Sequence, residues 1–209
     1  MAEEAGEYIL VTPDGNQLKS TWGYTGKGQT AYPNGEIYEG DYVDGKKSGT
    51  GSYQYANGNK YTGGFQNDLK EGIGRLNYHQ EDEKKVKPEY YGYFRNGKRD
   101  GEGVFKFANG DIYSGQWKEG KKEGKGTYIV KESGVKMIGF WADGKIMKGK
   151  WVFPNGTYYE GQFDHNQPKG NGIWKFANGN VCSGEYLQTI LPSEDEDRID
   201  ITLSWTSRR

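Results

Sequence analysis

Residues 38–58 read YEGDYVDGKKSGTGSYQYANG, and this stretch decides the fold. Tyr38, Gly40 and Tyr42 stand two residues apart, with acidic residues between them. Because successive side chains of a strand point to opposite faces, this spacing predicts a strand with one aromatic face and one charged face. Tyr53 and Tyr55 repeat the alternation after a glycine-rich segment, which predicts the second strand of a hairpin.

The same pattern recurs along the chain, which predicts a repeat architecture. The spacings between units are 23, 29, 23, 24, 22 and 23 residues, and the one long spacing reflects a six-residue insertion near His79–Lys87. Leu18 opens a degenerate first unit, with Ser20 in the glycine position and Trp22 in the aromatic position. The regular units begin at Tyr38, Tyr61, Tyr90, Tyr113, Met137, Tyr159 and Cys182.

The expected fold is all-β: an elongated, single-layer antiparallel sheet of tandem β-hairpins, in which each unit touches only its neighbours. At roughly 10 Å per two-stranded unit, eight units would make a rod of about 75 Å. The glycine after each opening aromatic residue leaves bare backbone, on which we expect a ring from a neighbouring strand to lie. In the fifth regular unit, which opens at Met137, Lys148 and Lys150 take the positions of the usual glycine pair.

Glycine is expected at two kinds of turn. Pairs such as Asn57-Gly58 suit turns with positive φ between units, and Gly45 and its equivalents turn the chain within units. The chain is thus divided into an N-terminal segment (1–17), a repeat array of about seven to eight units (18–186, insertion near 79–88) and an acidic tail with a possible strand (187–209).

Composition limits the function classes. Only 33% of the 209 residues are hydrophobic, yet 15% are aromatic, which argues against disorder. The net charge of −1 predicts no general attraction to nucleic acid. A single cysteine, Cys182, indicates a reducing compartment. The N-terminus does not resemble a signal peptide, and no apolar run approaches the roughly 20 residues of a membrane span.

No catalytic or metal-binding pattern stands out. The segment Gly45–Gly51 lacks the order of a phosphate-binding loop, and His79 and His165 lie in different units without ligand spacing. We therefore expect no enzyme activity, no cofactor and no metal site.

Two surfaces are candidates for partner binding. A single-layer sheet leaves part of its aromatic face without cover from the same chain, and such patches are typical of interfaces. The candidate aromatic face comprises Phe105, Phe107, Trp117, Trp141, Trp151, Phe153, Trp174 and Phe176. A candidate basic ridge, formed by turn residues of stacked units, comprises Lys46, Lys47, Lys98, Arg99, Lys121 and Lys122. Those residues either protect the sheet from aggregation or meet an anionic partner.

Two segments leave alternatives open. The charged insertion His79–Pro88 is either a contact loop or a tolerated insertion. In the tail, Ile199, Ile201, Leu203 and Trp205 alternate as a strand does, after the acidic run Glu194–Asp197. This candidate tail strand either pairs with another chain or folds back on the array.

The recurring pattern, an aromatic residue, Gly two residues later, an aromatic residue and then paired glycines, resembles the MORN repeat over roughly residues 18–186. The stretch from Lys131 to Tyr186 is further similar to radial spoke head MORN proteins. The matching residues are Lys131–Lys136, Gly139–Trp141, Asp143, Gly144, Asn155, Tyr159–Phe163, Asn166–Gly172 and Gly184–Tyr186. The long acidic C-terminal extension of some of those relatives is missing here, which leaves its role open.

That resemblance implies a cytoskeletal scaffold in the axoneme of a cilium or flagellum. Its expected partners are other radial spoke head subunits, in a homodimer or hetero-complex that supports motility. The alternative is a membrane-associated adaptor in which basic turn residues bind anionic phosphoinositides.

Overall fold

The computed structural model describes residues 8–82, 84–191 and 200–208. Every regular element in these ranges is a β-strand, and none of the described residues is helical. The chain divides into two compact units. The first comprises Met1–Gly110 with Lys118–Gly120, and the second comprises Asp111–Trp117 with Lys121–Arg209.

The first unit contains the two-residue strand β2 and eight longer strands. Their bounds are β1 Ile9–Val11, β2 Gln17–Leu18, β3 Gly26–Ala31, β4 Ile37–Val43, β5 Lys46–Gln54, β6 Lys60–Gln66, β7 Leu69–Asn77, β8 Glu89–Arg95 and β9 Lys98–Lys106. From β3 to β9 each strand pairs antiparallel with the next, and β1 pairs with both β2 and β3.

The second unit is built in the same way. Its strands are β10 Ile112–Lys118 (all but its last residue), β11 Lys121–Ile129, β12 Lys136–Ala142, β13 Lys145–Val152, β14 Tyr158–Asp164, β15 Gln167–Lys175, β16 Val181–Leu191 and β17 Asp200–Ser207. From β11 to β17 each strand again pairs antiparallel with the next. The predicted fold class, a single antiparallel layer of tandem hairpins, is therefore confirmed in each unit.

The turns within hairpins have positive φ at both central residues. Asp44 and Gly45, for example, have φ of 48° and 78°, and Asn96 and Gly97 have 48° and 80°. Two successive positive values are typical of the type I′ turn, whose twist matches that of the flanking strands. The expectation that Gly45 and its equivalents turn the chain is confirmed.

The turns between hairpins are of a different kind. Gly58 N–H donates to Tyr55 O at 2.9 Å, and Tyr55 N–H donates to Asn59 O at 2.9 Å. Only Gly58 has positive φ, at 82°. The asparagine acts through its side chain, because Asn57 Oδ1 accepts a hydrogen bond from Asn59 N–H at 3.1 Å. The expected positive φ is thus confined to the glycine of each Asn-Gly pair.

The two glycines on the second strand of a hairpin serve separate purposes. Gly49 has a φ of 69° and lies where the register between β4 and β5 shifts, so it allows a bulge. Gly51 lies opposite Gly40, and a Cβ on Gly51 would meet the ring of Tyr38 at 2.6 Å. A Cβ on Gly40 would meet the hydroxyl of the same Tyr38, so the expectation of a ring from a neighbouring strand was wrong for Gly40. At Gly184, the equivalent glycine of the last hairpin, the ring does come from a neighbouring strand, β17.

The hairpin of β12 and β13 corrects the expectation that its glycine pair is replaced by lysines. Lys148 and Lys150 do not replace the glycine that packs against the partner strand, because Gly149 lies opposite Gly139. β13 is 8 residues long whereas β11 and β15 are 9, so this hairpin has one residue fewer at its bulge. Because one residue is missing, Gly149 lies one position earlier than the repeat pattern predicts, and the pattern placed lysines in the glycine positions instead.

The degenerate first unit was also assigned wrongly in part. Leu18 and Gly28 are ten residues apart, whereas the corresponding Tyr38 and Gly51 are thirteen apart. The shorter segment leaves only the two-residue strand β2, and Trp22 lies in a turn with 92% of its surface exposed. Trp22 therefore does not occupy the buried aromatic position.

Candidate interaction surfaces

One face of the sheet, here called the inner face, carries the tyrosines that open five of the hairpins. Tyr38, Tyr61, Tyr90, Tyr113 and Tyr159 all have 0% exposure. Each of the first four donates a hydrogen bond from its hydroxyl to the backbone oxygen three residues later, at 2.9 to 3.0 Å. Burial raises the pKa of these groups in the first unit, and that of Tyr159 to about 12.

Edge-to-face ring contacts join successive hairpins on the inner face. The Tyr61 ring lies 5.2 Å from Phe65 of its own strand and 5.0 Å from Phe94 of the next hairpin. Tyr113 makes the same two contacts with Trp117 and Trp141, at 5.2 and 5.3 Å. Such contacts add about 0.5–1.5 kcal/mol each to the stabilisation from burial. The inner face is therefore the hydrophobic core of the array.

The candidate aromatic face divides according to exposure. Trp117 and Trp141 are 5% and 3% exposed, so they belong to the core and are not available to a partner. The indole N–H of Trp141 donates to Gly126 O at 3.1 Å, which fixes the ring in place. Phe176 is 42% exposed. The remaining candidates are partly buried, namely Phe105, Phe107, Trp151, Phe153 and Trp174.

The candidate basic ridge is split between the two faces, because each pair of basic residues begins a strand. Lys47, Arg99 and Lys122 turn to the inner face. Lys122 Nζ lies 4.5 Å from the centroid of the Trp141 ring, and burial lowers the pKa of this lysine. Lys70, a single basic residue after the same kind of turn, makes the same kind of contact with Tyr55 at 5.4 Å.

The other member of each pair lies on the opposite, outer face. Lys98 contacts Glu119, and Lys121 contacts Asp143, in exposed ion pairs. Hydrogen bonds from these lysines lower the pKa of both carboxyl groups. Lys46 is exposed. The six predicted residues therefore do not form one continuous basic surface.

The outer face of the first unit carries an apolar cluster that sequence analysis missed. We call Ile73, Tyr91, Tyr93 and Val104 the outer-face patch. Their exposed fractions are 50%, 48%, 47% and 41%. Ile73 lies opposite Tyr93, and Tyr91 lies opposite Val104, on three adjacent strands. The signal in the sequence was the run Tyr90-Tyr91-Gly92-Tyr93-Phe94, which places aromatic residues on both faces of β8.

The second unit has a smaller outer cluster in which lysines surround an aromatic ring. Phe140 is 54% exposed and lies between Lys125 and Lys148 on the adjacent strands. Lys125 Nζ is 5.9 Å from the centroid of the Phe140 ring. Lys150, one pair further along β13, is bound to Glu160 at 3.1 Å.

The tail strand folds back on the array. β17 pairs with β16 over eight residues, and Trp205 lies opposite Tyr186 with a distance of 4.8 Å between the ring centroids. Of the four predicted tail residues, Ile201, Leu203 and Trp205 lie in this strand, and Ile199 lies outside the described residues. The small side chain of Cys182 opens this hairpin in place of tyrosine, and the Trp205 ring covers Gly184 instead.

The insertion forms a closed loop beside the sheet. Tyr78 N–H donates to Pro88 O at 3.0 Å, and His79 N–H donates to Asn59 Oδ1 at 2.8 Å. In its described part, residues 79–82 and 84–88, the charged side chains lie at the surface. The loop thus presents charge at the surface, and its role as a contact loop or as a tolerated insertion stays a prediction.

Within the described ranges there is no group of three or more His, Cys, Asp or Glu side chains suited to a metal ion. None of the described residues belongs to a helix with the length and hydropathy of a membrane span.

The sequence matches the family model described as MORN repeat six times, over more than half of the chain. The matched residues are 38–60, 61–80, 90–112, 113–129, 138–158 and 159–181. The chain is also similar to Alsin from Rattus norvegicus, Mus musculus and Homo sapiens, at 28% identity over 98 residues. The similarity covers 44% of this chain and only 6% of the length of these relatives.

Proposed function

Because the chain belongs to the MORN-repeat family, we propose that it is a non-catalytic scaffold that assembles other proteins, in the radial spoke head of a ciliary axoneme. MORN repeats are generally non-enzymatic and act in binding to proteins or membranes. The radial spoke assignment is supported by the residues between Lys131 and Tyr186 that resemble radial spoke head MORN proteins, such as Asn166–Gly172.

The observation that carries the scaffold proposal is the outer-face patch. Large apolar side chains usually cover one another inside a protein, and a contiguous exposed group of them is typical of an interaction site. Here four such residues share the solvent face of three adjacent strands. Tyrosine is also enriched among the residues that dominate protein interfaces. We therefore propose that a protein partner covers Tyr91 and Tyr93.

Affinity purification from isolated axonemes, followed by mass spectrometry, tests both parts of the proposal. Wild-type protein is expected to recover other spoke-head subunits, whereas the double variant Tyr91→Ser, Tyr93→Ser is expected to recover at least tenfold less. Val43→Ser is the matched control, because Val43 is 54% exposed on the outer face of the same unit and lies outside the patch. Equal recovery by both variants would remove the patch from the interface. Recovery of no spoke-head protein by the wild type would contradict the axonemal assignment.

A second candidate function is attachment to an anionic membrane, and the cluster around Phe140 favours it. An apolar ring between two lysines suits an interface of headgroups and acyl chains. Vesicles containing phosphoinositide should sediment with the wild type and lose it when Lys125 and Lys148 are both replaced by Ser. Lys98→Ser and Lys121→Ser, whose lysines are already paired with carboxylates, are the matched controls. Sedimentation that does not depend on Lys125 and Lys148 would exclude this surface.

A further inference from the structure

β17 is the last strand of the second unit, and its backbone hydrogen bonds to β16 determine which groups its other edge presents. Arg208 N–H donates to Ser183 O at 2.8 Å, so residues 183 and 208 form a hydrogen-bonded pair. In an antiparallel ladder such pairs alternate, and every second residue directs its N–H and C=O away from the partner strand. Ile201, Leu203, Trp205 and Ser207 therefore direct their backbone groups away from β16.

In the described part of the second unit, β17 pairs with β16 on one side, and no strand of this unit pairs with its other edge. Thr202, Leu203, Ser204, Thr206 and Ser207 are all exposed. An edge of this kind is a template for another strand, and proteins usually protect it with charge, proline or a bulge. The stretch from Ile201 to Ser207 contains no charged residue and no proline, and its pairing with β16 is regular.

We propose that β17 pairs antiparallel with β17 of a second copy of this chain, about a two-fold axis at Leu203. In this register Leu203 lies opposite its own counterpart, and Ile201 lies opposite Trp205 of the second copy. All three side chains project to the inner face, so the two copies bring an apolar row together without placing like charges opposite one another. The sequence is thus complementary to itself in this register.

The neighbouring strand supports the same assignment. β16 is 11 residues long, four more than β14, so it extends further than the first strand of the preceding hairpin. Ile190 lies in this extension, opposite Ile201. Ile190 is 60% exposed and Leu203 is 36% exposed. Pairing through β17 would continue the inner face across the axis and cover these side chains. In the first unit, β1 is paired on both sides by β2 and β3, and β2 is only two residues long. A symmetric dimer is therefore favoured over a head-to-tail filament.

This inference specifies the self-association of the proposed scaffold, and it can be tested on the purified chain without any axonemal partner. Sedimentation equilibrium is expected to show a monomer–dimer equilibrium. Leu203→Lys would place two lysines opposite each other at the axis and should weaken dimerisation about tenfold or more, which corresponds to about 1.4 kcal/mol. Leu187→Lys is the matched control, because Leu187 is 57% exposed on β16 and lies away from the edge. A monomer at all concentrations, or equal effects of the two substitutions, would overturn the proposal.

Cysteine cross-linking tests the register itself. Residues directly opposite each other in a hydrogen-bonded antiparallel pair have Cα atoms about 5.5 Å apart, within the range of a disulfide. In a Cys182→Ser background, Leu203→Cys is expected to form a disulfide-linked dimer under mild oxidation, whereas Leu187→Cys is not. Cross-linking through Ser204→Cys in preference to Leu203→Cys would contradict the two-fold axis at Leu203. Thermal melting of each variant shows that the comparison is made between folded proteins.

Discussion

The indole ring of Trp205 lies over Gly184, where a Cβ on the glycine would be 2.4 Å from Cζ2 of the ring. In the hairpins that open with a tyrosine, the glycine two residues later is covered by that tyrosine, which lies on the same strand. Cys182 is too small to do so, and the ring comes from the strand after it. β17 thus completes the last hairpin of the array.

We expect Trp205→Ala to lower the free energy of unfolding of the second unit. Loss of a fully buried tryptophan costs about 3–5 kcal/mol, and a partly buried one should cost about 1–3 kcal/mol. Trp22→Ala is the control, because Trp22 is 92% exposed and should change stability by about 0.5 kcal/mol or less. Chemical denaturation of both variants provides the measurement. Equal loss in the two would mean that the Trp205 ring does not support the hairpin.

The glycines that face one another across a hairpin should not tolerate a side chain. A Cβ on Gly115 would lie 2.5 Å from Gly126 Cα and 2.6 Å from Lys125 O, and neither backbone atom can move aside. Gly115→Val is therefore expected to destabilise the fold by about 1–3 kcal/mol or more. Lys118→Val, at an exposed position of the same strand, should have an effect of about 0.5 kcal/mol or less. Similar melting temperatures for the two variants would contradict this packing.

The fold could be predicted from the sequence because about ten positions recur in each of several units. The prediction failed in two units, because each of them lacks residues that the other units have. The shortened segment between Leu18 and Gly28 left Trp22 in a turn, and the shortened bulge in β13 concealed Gly149. When residues are deleted, every later side chain of the unit moves along the alternation of faces by the same number of positions. A pattern that is aligned to the start of each unit does not detect this shift.

The candidate surfaces could be predicted less well than the fold, for a different reason. Alternation assigns a residue to a face but does not say how much of that face the neighbouring hairpins cover. Trp141 was assigned to the correct face, yet the adjacent Tyr113 ring and Lys122 bury it. Lys121 and Lys122 are adjacent in sequence, but as members of a strand they point to opposite faces.

Lys122 should be replaceable by an uncharged side chain. Its ammonium group lies over Tyr113, Tyr128 and Trp141, and burial lowers the pKa of the lysine. Ile146 and Pro168 occupy the corresponding positions of later hairpins and are buried. Lys122→Met is therefore expected to change stability by less than about 1.5 kcal/mol, as volume-conserving substitutions do.

Lys122→Glu, in contrast, should destabilise the unit, because it places a carboxylate against the electron-rich faces of three rings. Lys121→Glu, at the exposed neighbouring position, serves as the control for charge alone. The three variants can be compared by thermal melting. A tolerated Lys122→Glu would show that this position is open to solvent.

Stability should fall steeply in alkaline solution. Burial raises the pKa of Tyr38, Tyr61 and Tyr90 above the ordinary value of 10.0, and that of Tyr159 to about 12. A group whose pKa is raised by folding stabilises the native state below its unfolded pKa, and this contribution is lost as the pH rises towards the folded pKa. Each such tyrosine should reduce stability by about 1.4 kcal/mol per pH unit above pH 10.

The lowered pKa of Lys122 acts in the opposite direction and mostly at lower pH. Stability rises as the pH passes from the folded pKa of this lysine to its ordinary value of 10.5, because the unfolded chain retains the lysine proton longer. The tyrosines outnumber it, so the net change is a loss. Denaturant titrations from pH about 9 to about 12, together with the ultraviolet absorbance of tyrosinate, provide the measurement. Gradual ionisation of these tyrosines at their ordinary pKa, without unfolding, would contradict the expectation.

Pairing of each strand with the next one in the chain has a consequence for how fast the molecule folds. Most all-β proteins fold slowly because distant parts of the chain must meet before strands can pair. Here the two strands of a hairpin such as β6 and β7 are joined by a turn of two residues, and the following pairing requires only the next short segment. Loops of this size close within about 10–100 ns, and a hairpin forms in about 1–10 μs. We therefore expect rapid folding that starts at any hairpin and spreads to its neighbours, with rates closer to those of helical bundles than to those of β-sandwiches.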